Sequence, residues 1–341
     1  MNRKHFISSL LATGVSVPSW SYLFKRGKKS ETPAPVIPGY LKPGNTIGIT
    51  CPAGFITEKD ILPAIEQMES WGYQVKIGDT VGKKDFTFGG TDVERARDFQ
   101  QMIDDPDIKA IMCARGGYGF VRIIDKLDFT KLVASPKWII GFSDITVLHC
   151  HLNRNYGIAS IHSKMCNSFP DVWSTAEPIQ VETILSIKKA LAGEKMRYSA
   201  IVNAQNRKGK AKGVLVGGNL KTIETLAGTK SDLETDGKIL FVEDTGEYPY
   251  SVDRMFWNLQ RTGKLDKLAG LIIGGFKLKP DDPGEEFGRT LQDIVLEKVK
   301  QYDYPVCFDF PVGHQRNNFA LKCGAIHKLK VNAESVTLEE I

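Results

Sequence analysis

The sequence lacks the motifs that mark metal enzymes, nucleotide-binding proteins and disulfide-rich proteins. Its six cysteines are scattered without a CxxC pair, and its six histidines include no HExxH motif. Scattered cysteines in a chain of 341 residues predict buried free thiols and not a disulfide framework. A P-loop and a basic stripe with interleaved aromatic residues are also missing. The sequence therefore predicts no metal site, no cofactor and no nucleic-acid partner.

No run of about 20 apolar residues is present, so we predict no stable membrane span. The net charge of +5 is small, and much of it lies in the first 30 residues and at 207–212. The rest of the surface should therefore be near neutral. With 42% hydrophobic and 25% charged residues, the composition is ordinary for a globular protein, and the length favours two domains.

Residues 1–25 predict an export signal. Residues 2–5 (Asn-Arg-Lys-His) form a basic head, and residues 6–17 form a short, largely apolar run. With Lys4 in place of the second arginine, this head resembles a twin-arginine signal. We therefore predict a periplasmic or exported protein; the alternative is a disordered or weakly helical extension on a cytoplasmic protein. Residues 26–40 have the Pro- and Lys-rich composition of a linker.

From about residue 41, apolar runs of strand length alternate with segments of helical spacing. The predicted strands are 46–50, 73–77, 110–114 and 138–141, and the predicted helices are 57–71, 92–103, 120–127 and 145–154. Such alternation predicts a parallel sheet with helices on both faces. Ligands of these sheets bind beyond the carboxyl ends of the strands, where residues 115–119 and 141–144 fall.

The second half of the chain repeats this alternation after a weaker segment at 171–212, which we interpret as a connection. The predicted strands are 214–216, 238–242, 270–274 and 306–309, the predicted helices are 220–227, 251–263 and 288–301, and short β segments follow at 325–338. We predict a two-domain α/β protein. Its N-terminal parallel-sheet domain covers 41–170, and its C-terminal α/β domain with mixed β elements covers 213–341.

Ser143 is a candidate nucleophile in residues 141–144 (Gly-Phe-Ser-Asp). A glycine two residues before a serine, between a strand and a helix, resembles a nucleophile elbow, which lifts the hydroxyl above the sheet. The following helix N-terminus would stabilise negative charge. Position 145 is Ile145 and not the usual second glycine. Capping of the helix by Ser143 and Asp144 is therefore an open alternative.

His314 and Glu243 are candidates for the base and the carboxylate that a serine nucleophile needs. His314 follows Pro-Val-Gly after a predicted strand, so its imidazole is presented from a loop. Glu243 ends the predicted strand 238–242, and a carboxylate at that position usually faces a ligand or a partner charge. Asp244 and Glu247 compete for the same role, and helix capping is the structural alternative.

The segment 115–119 (Arg-Gly-Gly-Tyr-Gly) is rich in glycine at a strand end, so its backbone N–H groups can approach a ligand closely. It has neither the Lys-Ser/Thr of a P-loop nor the GxGxxG order. A phosphate cradle and an oxyanion hole both fit these residues. A second glycine loop at 217–219 (Gly-Gly-Asn) is less specific.

Taken together, these segments resemble the LD-carboxypeptidases, also called muramoyltetrapeptide carboxypeptidases. The resemblance runs from about Gly44 to Val331, and Phe142 stands where the family more often has tyrosine. The segments that carry it are 115–119 with Arg122, 141–149, 217–220, 240–244 with Tyr250, Asp253 and Arg254, and 313–318.

The resemblance implies a Ser-Glu-His triad of Ser143, Glu243 and His314, in a cleft between two α/β domains. It implies a serine-type carboxypeptidase that hydrolyses the L-D bond of a murein tetrapeptide and releases a terminal D-Ala. The residue before that D-Ala is commonly meso-diaminopimelate. In the implied mechanism Ser143 attacks the carbonyl, and His314 takes the proton and returns it to the leaving amine.

Further roles follow from this mechanism. The tetrahedral oxyanion needs donors, and the candidates are the backbone N–H groups of Asp144 and of Gly116 or Gly117. A carboxypeptidase also binds a free carboxylate, for which Arg115 and the glycine-rich loop are candidates. Tyr118 is a further candidate for substrate binding.

Two other functions stay open. Relatives of the microcin C self-immunity type cut peptidyl or aminoacyl nucleotides and need an aromatic residue for base stacking, which Trp173 or Trp257 could supply. The other alternative is a non-catalytic cell-wall peptide-binding protein, against which the intact Ser, Glu and His argue. The predicted partner is a murein peptide, and a homodimer is left open. Many family members are cytoplasmic recycling enzymes, from which the N-terminal extension departs.

Overall fold

The computed structural model describes residues 33–341. The predicted export signal at 1–25 and the first residues of the predicted linker lie outside the described residues. Within residues 33–341, no helix is both long and apolar enough to span a bilayer. All six cysteines are buried and unpaired, as the sequence predicts.

The chain forms two β-sheets flanked by helices. The strands are β1 Thr46–Thr50, β2 Gln74–Ile77, β3 Ile108–Cys113, β4 Trp138–Gly141, β5 Ser160–His162, β6 Arg197–Ala200, β7 Gly209–Asn219, β8 Ile239–Thr245, β9 Gly270–Lys277, β10 Val306–Cys307, β11 Leu321–Cys323, β12 Ile326–Val331 and β13 Val336–Glu340. The α-helices are α1 Glu58–Ser70, α2 Asp92–Asp104, α3 Thr130–Ala134, α4 Thr146–Tyr156, α5 Pro178–Ala192, α6 Leu220–Thr225, α7 Pro249–Arg261 and α8 Leu291–Val299.

The first sheet has the strand order β11-β5-β4-β3-β1-β2. Its pairs are parallel, as predicted, except that β11 joins β5 antiparallel. The four residues of β4 are all buried, which is typical of a strand covered on both faces. The edge strand β11 comes from the C-terminal part of the chain, so that part contributes a strand to the first sheet.

The second sheet has the order β10-β9-β8-β7-β12-β13-β6 and confirms the predicted mixed architecture. The strands β10, β9, β8 and β7 are parallel neighbours. From β7 to β6 the pairs are antiparallel. The long strand β7 belongs to both regions, and its first residues lie in the segment that we interpret as a connection.

Local sequence explains the first helix. Thr57 and Asp60 form a capping box, in which the Thr57 hydroxyl accepts the Asp60 N–H at 3.2 Å. Ile61 and Met68 lie on the buried face. Leu62, which the spacing also assigns to that face, is 49% exposed, because it lies about 100° around the helix from Ile61.

Three further predictions need correction. The predicted helix at 120–127 is two short 3₁₀ turns, at Phe120–Arg122 and Ile124–Lys126. The strand that contains Glu243 runs on to Thr245, so Glu243 lies within β8 and not beyond its end. Strand β11 has no counterpart in the prediction, because three residues give too short a periodic signal.

Candidate active site

Ser143 occupies the turn between β4 and α4. Its backbone φ is +62°, in the left-handed region that non-glycine residues rarely adopt. Strand β4 ends at Gly141 and α4 begins at Thr146, so strand, turn and helix follow in the predicted order. Strained backbone of this kind clusters at active sites, and here it places a half-buried serine at the carboxyl edge of the first sheet.

Two glycines make room for this turn. A Cβ on Gly116 would lie 3.2 Å from the Ser143 Cβ, so the glycine-rich segment packs directly against the serine. A Cβ on Gly141 would lie 2.9 Å from an Ile145 side-chain carbon. Glycine at both positions therefore allows segment 115–119 and the start of α4 to approach the nucleophile candidate closely.

The Asp144 carboxylate connects these two segments. Its Oδ2 accepts the Phe120 backbone N–H at 2.8 Å, and the side chain is buried. Burial raises the pKa of Asp144 to about 6. The Asp144 side chain thus holds the glycine-rich segment to the serine turn. The backbone N–H of Asp144, and not its side chain, is therefore the candidate oxyanion donor.

His314 and Glu243 are directly paired. His314 Nδ1 lies 2.5 Å from Glu243 Oε2, and the Glu243 side chain is fully buried while His314 is 19% exposed. Because an ionised carboxylate can only accept, Nδ1 must donate its hydrogen. The neutral imidazole then carries its lone pair on Nε2, where a general base needs it.

Neighbouring strands position this pair. Glu243 lies on β8, and the His314 loop runs beside β9, where the Gly275 N–H donates to the Val312 carbonyl at 2.8 Å. Gly313 has a φ of +105°, and a Cβ there would overlap Glu243 Cβ and lie 2.8 Å from its Cγ. A residue with a side chain at 313 would therefore push His314 away from its carboxylate.

The Phe142 ring links the serine turn to the histidine. Its centroid lies 5.0 Å from that of His314. It also lies 5.7 Å from the ring of His162, a fully buried residue at the end of β5. Since Phe142 directly precedes Ser143, this contact brings the histidine loop of the second sheet to the turn that follows β4.

The predicted glycine loop at 217–219 is the end of β7, and it packs on the start of α4. The Thr146 hydroxyl accepts the Asn219 N–H at 3.0 Å, and a Cβ on Gly218 would lie 2.7 Å from Thr146 Cγ2. A bulkier residue at 218 would separate the two sheets at this point. The glycine therefore serves the contact that brings β7 close to Ser143.

Ser143 opens onto a cavity of about 390 Å³. Its lining comes from both halves of the chain and includes Gly117, Tyr118, Ser143, Asn219, Asp244 and Glu247. Arg115, a predicted substrate contact, is exposed, and its Nη1 donates to the Phe55 carbonyl at 2.8 Å. Asp244, a competitor of Glu243, accepts the Lys221 N–H at 2.8 Å, and burial raises its pKa to about 6.

The remaining candidates have structural contacts. Two histidines on α4 also have structural partners: His149 Nδ1 lies 2.7 Å from the Ser160 hydroxyl, and His151 Nδ1 lies 2.9 Å from the Ser231 hydroxyl. Trp257 lies under the Lys298 ammonium, 4.8 Å from its ring centroid, and Trp173 packs against the core.

The described residues thus form a two-sheet α/β protein in which the histidine of a histidine–carboxylate pair packs against Phe142, the residue before a serine on a strained turn. A serine near a histidine that a carboxylate orients is the arrangement that nucleophilic hydrolases use.

The chain belongs to the LD-carboxypeptidase family of peptidases. The family models of the LD-carboxypeptidase N-terminal and C-terminal domains match residues 47–163 and 212–329. A probable murein peptide carboxypeptidase of Bacillus subtilis is 31% identical over 89% of this chain and 94% of its own length.

The chain is also similar to two further proteins. The structure of a muramoyltetrapeptide carboxypeptidase from Oxalobacter formigenes has 29% identity and a TM-score of 0.77 over 87% of this chain and 98% of its own. The microcin C7 self-immunity protein of Escherichia coli is 25% identical over 90% of this chain and 96% of its own length.

Proposed function

We propose that this protein is a serine-type LD-carboxypeptidase that releases the terminal D-Ala from murein tetrapeptides. The observation that carries the proposal is the His314–Glu243 pair, 2.5 Å between Nδ1 and Oε2, packed against the residue that precedes Ser143. The murein peptides named for its relatives supply the substrate class.

In the proposed reaction the Ser143 hydroxyl attacks the carbonyl carbon of the L-D bond, and His314 Nε2 takes the hydroxyl proton. Glu243, already hydrogen-bonded to Nδ1, stabilises the imidazolium that forms. Collapse of the tetrahedral intermediate transfers the proton to the leaving amine of D-Ala and leaves an acyl-serine. Water then attacks the acyl-serine with His314 again as the base.

The oxyanion needs donors close to Ser143. The backbone N–H of Asp144 follows the nucleophile, as in a nucleophile elbow, and a Cβ on Gly116 would lie only 3.2 Å from the Ser143 Cβ. Gly117 and Tyr118 line the cavity onto which Ser143 opens. These contacts support Asp144 with Gly116 or Gly117 as the oxyanion hole, and Tyr118 as a substrate contact.

The second proposal concerns the compartment. The basic and apolar composition of residues 1–25 supports export, so that the enzyme would act on cell-wall peptide in place.

Incubation of the full-length protein with purified muropeptides, read by mass spectrometry, tests the activity. We expect loss of one alanine from tetrapeptides and no other cleavage. Cleavage of an aminoacyl sulfamoyl nucleotide with intact muropeptides would favour the microcin-type alternative. Binding of muropeptides without any product would favour the non-catalytic alternative.

A further inference from the structure

The free carboxylate of the substrate constrains where a carboxypeptidase can place a cation. In the proposed reaction His314 protonates the leaving nitrogen, so that nitrogen lies next to the imidazole. One Cα separates it from the terminal carboxylate, and with bonds of about 1.5 Å the carboxylate oxygens lie within roughly 4 Å of it. A cation that binds this carboxylate must therefore lie close to His314.

Lys164 meets this requirement. It follows β5, at the same sheet edge as Ser143, and its Nζ donates to the carbonyl of Gln315, the residue after His314, at 2.7 Å. The same Nζ lies 5.8 Å from the centroid of the Phe142 ring, against which His314 also packs. The ammonium and the imidazole thus contact one ring, one residue from the candidate nucleophile.

The surroundings of Lys164 leave its ammonium available. In residues 33–341 its hydrogen-bond partner is a neutral carbonyl, so two of its three N–H donors can serve a ligand. Lys164 lines a cavity of about 410 Å³ together with Glu177, Gln180 and Arg316. Arg316, the other cation there, is already paired with the Glu177 carboxylate.

We propose that Lys164 binds the terminal carboxylate of the substrate and thereby makes the enzyme an exopeptidase. This assignment rests on the proposed carboxypeptidase activity. It places the carboxylate contact on Lys164 in place of Arg115, because Lys164 contacts the His314 loop and the Phe142 ring, whereas Arg115 contacts Phe55. A half-buried ammonium forms a stronger charge-assisted hydrogen bond than an exposed one. Burial also lowers the pKa of Lys164 to about 8, so in most molecules the Lys164 side chain is still charged at neutral pH.

The structural alternative is that Lys164 only fixes the His314 loop through Gln315. The two roles predict different kinetics. Loss of a loop contact would misplace His314 and lower kcat for every substrate. Loss of a carboxylate contact would raise KM for substrates that have a free terminal carboxylate and leave amidated substrates unaffected.

The experiment compares an L-D tetrapeptide with its C-terminal amide on the full-length enzyme. For Lys164→Gln we expect KM for the acid to rise roughly 10- to 100-fold with little change in kcat, and no change for the amide. Lys164→Arg should restore part of the loss. Lys277→Gln is the matched control, because Lys277 is an exposed lysine that influences Lys164 through its charge.

Two results for Lys164→Gln would overturn the assignment: an equal loss of activity on the acid and the amide, or an unchanged KM for the acid. The proposed function would still stand in either case, provided that the wild-type enzyme cleaves the acid. If wild-type enzyme cleaved neither peptide, the proposed function would fall, and the assignment with it.

Discussion

Glu243 Oε2 lies 2.5 Å from His314 Nδ1, and the carboxylate is completely buried on β8 while the imidazole reaches the surface from a loop. A buried carboxylate that accepts from Nδ1 fixes the tautomer and orientation of the ring and stabilises its protonated form. The pair therefore acts as one unit with Ser143 in the proposed mechanism.

We expect Ser143→Ala and His314→Ala each to abolish most turnover and Glu243→Ala to lower kcat by about 10³- to 10⁴-fold. The losses should be strongly non-additive, because each variant already disables the same proton transfer. Steady-state kinetics of single and double variants would measure this, with circular dichroism to verify folding. Multiplicative losses in the double variants would contradict action as a unit.

Gly313→Ala should reduce both stability and activity. A Cβ at 313 would overlap Glu243 Cβ, and the backbone φ of +105° is unfavourable for alanine. We expect a loss of about 1–3 kcal/mol in the free energy of unfolding, and a lower kcat. Gly288→Ala is the matched control, because its φ is +69° and a Cβ there meets nothing within 4 Å. Equal effects of both variants on kcat would argue against the Gly313 contact.

The affinity for peptide acids should fall above pH 8. Burial lowers the pKa of Lys164 to about 8. The side chain is therefore charged below pH 8, and it loses its positive charge as the pH rises through this value. KM for the tetrapeptide should therefore increase between about pH 7 and 9. The same profile for Lys164→Gln should be flat. The charged groups around Lys164 are Glu243, Lys277, Glu177 and Arg316. The nearby His162 is neutral in this range, because burial lowers its pKa well below the usual value.

Removal of residues 2–30 should change the location of the enzyme and not its chemistry. The first strand begins at Thr46, and the proposed site residues run from Gly116 to His314, so the deleted residues supply none of them. We expect unchanged kcat/KM and a cytoplasmic product on fractionation. Full-length protein found only in the cytoplasm would refute export.

Strong periodic signals made most of the fold predictable. The predicted strand 46–50 has the same bounds as β1, and α1 at Glu58–Ser70 lies within the predicted helix 57–71. The segment 120–127 misled because its apolar residues fit a helix, whereas the chain forms two 3₁₀ turns there. The Asp144 carboxylate accepts the Phe120 N–H at the start of the first turn. A tertiary hydrogen bond of this kind leaves no trace in local spacing.

The residues of the site that follow strands or belong to family motifs could be predicted from the sequence. Ser143 and His314 follow strands, but their shared contact with Phe142 depends on how the two sheets pack. Lys164 also follows a strand, so the same rule could have selected it. Its proximity to Gln315, 151 residues away in sequence, could not be read from spacing.

The most direct test measures cleavage of two synthetic tetrapeptides that differ only in the configuration of the terminal alanine. We expect wild-type enzyme to release alanine from the L-D peptide and to leave the all-L peptide intact, with no release from either by Ser143→Ala. Equal rates on the two diastereomers, or near-wild-type cleavage by Ser143→Ala, would contradict a serine-type LD-carboxypeptidase.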